Sequence, residues 1–184
     1  MRRIHKVLLF TAGTALLVGG AAYHLHRYPA YLHLSHRIIV ARWLLRHPEM
    51  RLARPEDCGD CQEAIGVMEA GSSGDQYKIP GFTPYYSRGD FNRDGHEDFA
   101  VALISTKLNK FVFTVLIFNG PLNALKSMPA FQQDGLELRG GGLFFFPNRT
   151  INGNALIAGP FESDNTVLFN PIGATYETDE GEED

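Results

Sequence analysis

An α+β fold is predicted for this chain of 184 residues by three features met in order along it. A basic, helix-periodic part comes first; a loop rich in side-chain oxygens follows at residues 89–102; short apolar runs separated by turn signals fill most of the rest. With 44% apolar and 21% charged residues the chain can bury one core, and nothing in it suggests two large domains. The expected arrangement is a hydrophobic amino-terminal helix, a basic amphipathic helix, then a mostly antiparallel sheet of five or six strands with one packed helix.

Arg2, Arg3 and Lys6 precede the apolar run from Val7 to Tyr23. This is the arrangement of a signal peptide or a membrane anchor. Small residues around Gly19, Gly20 and Ala21 suit cleavage, while the length of the run approaches that of a span. Both readings of residues 1–23 stay open.

Residues 24–54 form a second segment. Between Pro29 and Pro48, Leu34, Ile38, Ala41 and Leu45 recur at helical spacing, with His33, Arg37, Arg42 and Arg46 off that stripe. Such a helix suits an anionic membrane surface, or equally a stripe packed on the domain with its arginines in water. Nine of the 17 Lys and Arg but one of the 21 acids lie at or before Arg54. The remainder is therefore acidic, and a basic region beside an export segment is a poor reader of nucleic acid. Six of the seven histidines also lie ahead of Pro48. His24-x-His26 and His33-x-x-His36 have spacings that transition-metal sites use, but no carboxylate or thiol cluster accompanies them, so they read as interfacial or solvated.

Residues 55–177 are the expected folded domain. Cys58 and Cys61, the two cysteines of the chain, precede a helical stretch from Gln62 to Ala70. A thiolate at a helix start is stabilised by the helix dipole, which is the sharpest hint of an enzyme here. The setting argues otherwise: no buried strand is expected upstream, and Asp57 and Asp60 would raise the thiol pKa values. In an oxidising compartment the pair reads as a local disulfide staple.

Around Gly95 the chain reads Gly89-Asp90-Phe91-Asn92-Arg93-Asp94-Gly95-His96-Glu97-Asp98-Phe99-Ala100-Val101. Ca²⁺ takes six or more oxygen ligands, and this spacing offers Asp90, Asn92, Asp94 and Asp98, with the carbonyl of His96 between them. Gly95 permits the positive φ of the turn. Val101 stands where an EF-hand needs a bidentate Glu, and the apolar run that follows predicts a strand rather than a helix. A loop of this form running straight into a strand resembles the FG-GAP and VCBS-type repeats. That resemblance, about fourteen residues long, implies the same five metal ligands: Asp90, Asn92, Asp94, His96 and Asp98. No second copy is present, so a multi-bladed propeller is not expected. An ion-free, Asx-rich turn is the plain alternative.

Beyond the loop, Phe99 to Ser105 and Phe111 to Phe118 read as paired strands. Pro121 to Ser127 suits one or two helical turns. Leu143 to Pro147 and Ala155 to Ala158 flank the hairpin signal Asn152-Gly153. Gly140-Gly141-Gly142 leads into a strand, which predicts a bulge or tight bend rather than a phosphate cradle. Asn148-Arg149-Thr150 is a glycosylation sequon. Residues 178–184 read as an acidic, disordered tail.

The folded part holds one histidine after residue 54, so histidine-dependent catalysis has no obvious base. The sequence therefore predicts a non-catalytic, calcium-stabilised, extracytoplasmic binding module, periplasmic or extracellular, secreted or membrane-tethered through its amino-terminal segment, with a protein or glycan partner. The alternative is a membrane-tethered thiol-disulfide oxidoreductase using Cys58 and Cys61.

Overall fold

The run Phe99-Ala100-Val101-Ala102-Leu103-Ile104 is apolar on both sides of its two-residue period, so a strand made from it must be covered on both faces. The computed structural model describes residues 29–71, 78–107, 112–146, 155–161 and 165–180, and it covers that run with three layers. Helix α1 (Leu34–Leu44) and strand β1 (Met50–Leu52) lead, through a 3₁₀ turn at Pro55–Cys58, into helix α2 (Gln62–Ala70). Strands β2 (Tyr86–Gly89), β3 (Asp98–Ser105), β4 (Val112–Phe118) and β5 (Phe131–Glu137) complete a first sheet with β1. Strands β6 (Gly141–Phe144), β7 (Leu156–Pro160), β8 (Val167–Ile172) and β9 (Thr175–Glu180) make a second, in chain order.

All pairings are antiparallel. Strand β3 lies at the centre of the first sheet. Its one edge is taken by β4, with Phe99 opposite Phe118 and Ala102 opposite Val115. Its other edge is divided end to end: β2 pairs with residues 98–101 and β1 with residues 103–105. At the junction the Ala102 N–H donates to the Tyr85 carbonyl, and its own carbonyl accepts from Ala53.

The alternation of β3 sorts its side chains into two cores. Phe99, Val101 and Leu103 join Leu116 and Phe118 under α1, where Ile39, Val40 and Trp43 close the cluster. Ala100, Ala102 and Ile104 face the second sheet with Val115, Ile117, Leu156, Ala158 and Phe169. Two small alanines in mid-strand leave room for the second sheet to pack on this face.

Several expectations are corrected. Among the described residues the strands number nine in two sheets, not five or six in one. Successive hairpin signals identify neighbours but not where a sheet ends, and the break falls at Leu138–Gly140, where Gly140 turns the chain at φ +74. Strand β1 belongs to the first sheet, and helix α1 packs on that sheet, as one of its two readings had it, but by another face. Its core face is His36, Ile39, Val40 and Trp43, while the stripe expected to pack inward begins and ends at exposed residues, Leu34 and Leu45. Helix α2 forms where expected but contains no fully buried residue; Ile65 and Met68 rest on the edge of the core. Residues 121–127 contain a turn, not a helix.

Gly141 and Gly142 answer a need for close approach: a Cβ at either would press within 3 Å of backbone atoms of Gly159 or Pro84. Residues 178–180 extend β9 rather than starting a tail. The signal or anchor segment 1–23, the sequon, the Asn152-Gly153 turn and residues 181–184 lie outside the described residues.

Candidate functional site

The oxygen-rich loop is the tip of the β2–β3 hairpin. Gly89 pairs with Asp98, so residues 90–97 form the connection. Asp and Asn carry short side chains that bond backbone N–H groups a few residues on, which is how a loop this long holds its shape. The Asp90 carboxylate accepts from the N–H groups of Asp94 (3.0 Å) and Gly95 (2.9 Å). The Asn92 amide oxygen also accepts from Asp94 N–H, at 3.1 Å, and its Nδ2 donates to Asp94. Asp94 accepts from His96 N–H at 2.9 Å, and that bond first of all holds its carboxyl below the ordinary value. Arg93 (φ +61) and Gly95 (φ +84) take left-handed conformations, easy for the glycine and uncommon for the arginine.

Asp98 also serves the fold itself. It is fully buried, and its carboxylate accepts three backbone N–H groups: Phe91 at 2.8 Å, Asn92 at 3.2 Å and Gly120 at 2.7 Å. It therefore ties the start of the loop, and the chain just beyond β4, to the head of β3. Burial raises its carboxyl, and the three N–H groups pull it back without cancelling the rise. Tyr176 donates to Asn119 at 2.8 Å; burial, then the charges of Asp98, Asp94 and Asp90, keep its hydroxyl protonated.

Of the five expected metal ligands, the structure gathers Asp90 and Asn92 on the N–H of Asp94, bonds the Asn92 and Asp94 side chains to each other, links His96 to Asp94 through its N–H, and turns Asp98 inward. Each carboxylate oxygen that accepts one N–H keeps a further lone pair, and the donor set is all oxygen, the kind that suits a hard cation. Among the described residues, no group of three or more His, Cys, Asp and Glu side chains is arranged to hold a metal ion.

Beside the loop lies a polar cluster that sequence spacing did not identify. His36, 2% exposed, stacks on Phe99 with ring centroids 4.0 Å apart, and its Nδ1 sits 2.9 Å from the Tyr86 hydroxyl. Burial first, then the neighbouring His33 and Arg88, push its pKa down to about 4. Glu97 reaches this cluster from the loop: one oxygen is 3.6 Å from Arg88, the other 3.9 Å from His36 Nε2. The latter is beyond hydrogen-bond range, and half-exposed Glu97 does not offset the burial. Of the two expectations for this histidine, interfacial or solvated, burial rules out the solvated one; its apolar neighbours Ile39 and Val40 were the available signal.

Cys58 and Cys61 are joined in a disulfide and both are buried. The 3₁₀ turn carrying Cys58 is secured by Asp57, whose carboxylate takes two bonds from Arg51 (2.6 and 2.7 Å) and one from Arg54 N–H. Burial opposes the charge on Asp57, but these donors outweigh it and hold the carboxyl low. A sulfur pair enclosed in the core lacks the access that thiol exchange needs.

No family model, no curated protein and no solved structure matches the chain. The likeness to FG-GAP and VCBS-type repeats rests on the loop residues alone.

Proposed function

We propose that this protein is a non-catalytic extracytoplasmic binding or interaction module, tethered or exported through residues 1–23, whose β2–β3 loop is stiffened by Ca²⁺. The observation that carries this reading is the loop's own bonding. Asp90, Asn92 and Asp94 are already drawn together around the amides of Asp94 and Gly95, so an ion that locks them in place has little entropy of gathering them to overcome. Asp90, Asn92 and Asp94 would hold it with the His96 carbonyl, and Asp98 would add a remaining lone pair from below. The buried disulfide agrees with an oxidising compartment.

Affinity in the range of extracellular modules, about 10⁻⁴ to 10⁻³ M, is expected. At ten times the dissociation constant, calcium would add about 1.4 kcal/mol of stability. The test is calorimetric titration of the full chain together with melting in millimolar calcium and in chelator. Asp94→Ala should abolish the response, whereas Glu97→Ala should spare it, because Glu97 faces Arg88 and His36. No heat and an unchanged melting temperature would dispose of the calcium loop.

A further inference from the structure

Helix α1 is apolar on two faces, and among the described residues only one of them is packed on the core. The inner face packs on the first sheet through His36, Ile39, Val40 and Trp43. The outer one runs through Leu34, Ile38, Ala41 and Leu45, with Leu34 61% and Leu45 74% exposed. Alongside it lies the turn after β4. Arg42 donates to the carbonyls of Ser127 (2.6 Å) and Ala124 (3.4 Å), and Arg42 and Arg46 lie 3.8 and 3.6 Å from the Met128 sulfur. That turn adds Leu125, 78% exposed, and Met128, 54% exposed. Four of the chain's six exposed large hydrophobic residues among those described thus belong to this helix and this turn, a concentration that marks an interaction surface.

Charge selects the partner. Residues 29–48 and 119–130 carry Arg37, Arg42, Arg46 and Lys126 and no acid, in a chain with 21 acids. A basic, apolar-studded face on an otherwise acidic protein matches an anionic lipid surface, where leucines enter the headgroup boundary and arginines meet phosphate. Chain length points the same way: from Tyr23, the end of the apolar run, to Pro29 the chain reaches at most about 20 Å. We propose that this outer face of α1, with the turn at residues 124–128, docks on an anionic bilayer. The proposal rests on the tethered reading above in that the tether keeps the face within reach of lipid.

The test uses the full chain reconstituted in phosphatidylcholine vesicles with and without phosphatidylglycerol, each carrying a headgroup nitroxide quencher. A fluorophore is placed at Leu125→Cys or, as control, at Glu177→Cys on the exposed edge of β9; Cys58 and Cys61 are already paired. The Leu125 probe should be quenched in anionic vesicles and released by molar salt, and the Glu177 probe should be unmoved. Arg46→Glu with Lys126→Glu should lower the docked-to-undocked ratio at least about tenfold. Equal quenching at both positions, or no difference between the lipids, overturns docking. So does self-association in detergent that the Leu125 substitution abolishes, which would assign the face to a second copy. Flotation after alkaline wash tests the tether separately: a chain that washes off yet binds anionic vesicles in low salt loses the anchor and keeps the docking face.

Discussion

Replacing Asp98 by Ala tests whether this residue is a strut of the fold, apart from any ion. The substitution removes the acceptor of three backbone N–H groups. Bonds to a charged acceptor contribute about 1.5–3 kcal/mol each, and a buried donor left without one costs about 1–3 kcal/mol. Phe91 N–H is buried and bears the full penalty; Asn92 and Gly120 are half-buried, so water replaces part of what they lose. The expected loss is about 3–5 kcal/mol, a large share of the 5–15 kcal/mol that a domain commonly has. Urea denaturation in chelator measures it free of calcium, and the midpoint should fall with the slope unchanged. Hydrogen exchange should quicken at Phe91, Asn92 and Gly120 first. A loss below about 1 kcal/mol would refute the strut.

Three further outcomes are expected. Ile39→Ala should cost about 2–5 kcal/mol in urea while Leu34→Ala stays within about 0.5, which decides which face of α1 is inside; equal losses would contradict the packing. Because His36 is held at about 4, well below the ordinary histidine value, the unfolded chain takes the proton first: stability is full above about pH 6.5 and falls by about 2 kcal/mol as pH drops toward 4. Denaturation across that window should show the slope in the natural chain and not in His36→Gln. Replacing Cys58 and Cys61 together by Ser should cost about 2 kcal/mol for so short a loop, and alkylation of the unreduced protein should add no mass.

What could be read in advance was what local chemistry dictates. Strands β3 and β4, the β6–β7 pairing, α2 and the hairpin loop all appear near their expected places because apolar runs and turn residues act on their immediate neighbours. Strands β1, β2, β5 and β9 escaped because they are short or polar: β5, with Gln132, Gln133, Asp134 and Glu137, has no apolar alternation to see. Helix α1 was found but turned the wrong way round, since leucine, isoleucine and valine occupy two of its faces and only the sheet beneath decides between them. The loop's ligand spacing could not reveal that Asp98 would be claimed by amides, one of which, Gly120, lies 22 residues away. Nor could it show that Tyr86 and Glu97 would meet His36.

The divided edge of β3 has a consequence for how the protein can be made. Phe99 to Ile104 holds no charge and no proline, the composition of a segment that pairs readily with copies of itself when exposed. Both strands that share its outer edge precede it in the chain, β1 by about fifty residues and β2 by about ten. A ribosome therefore delivers the sticky strand only after its two shields exist, with β4 following directly to close the opposite side. Moving β1 behind β3 by a circular permutation opened between α2 and β2 would keep the strand pairings and remove half of that protection, so such a protein should be as stable when refolded dilute but aggregate more during synthesis.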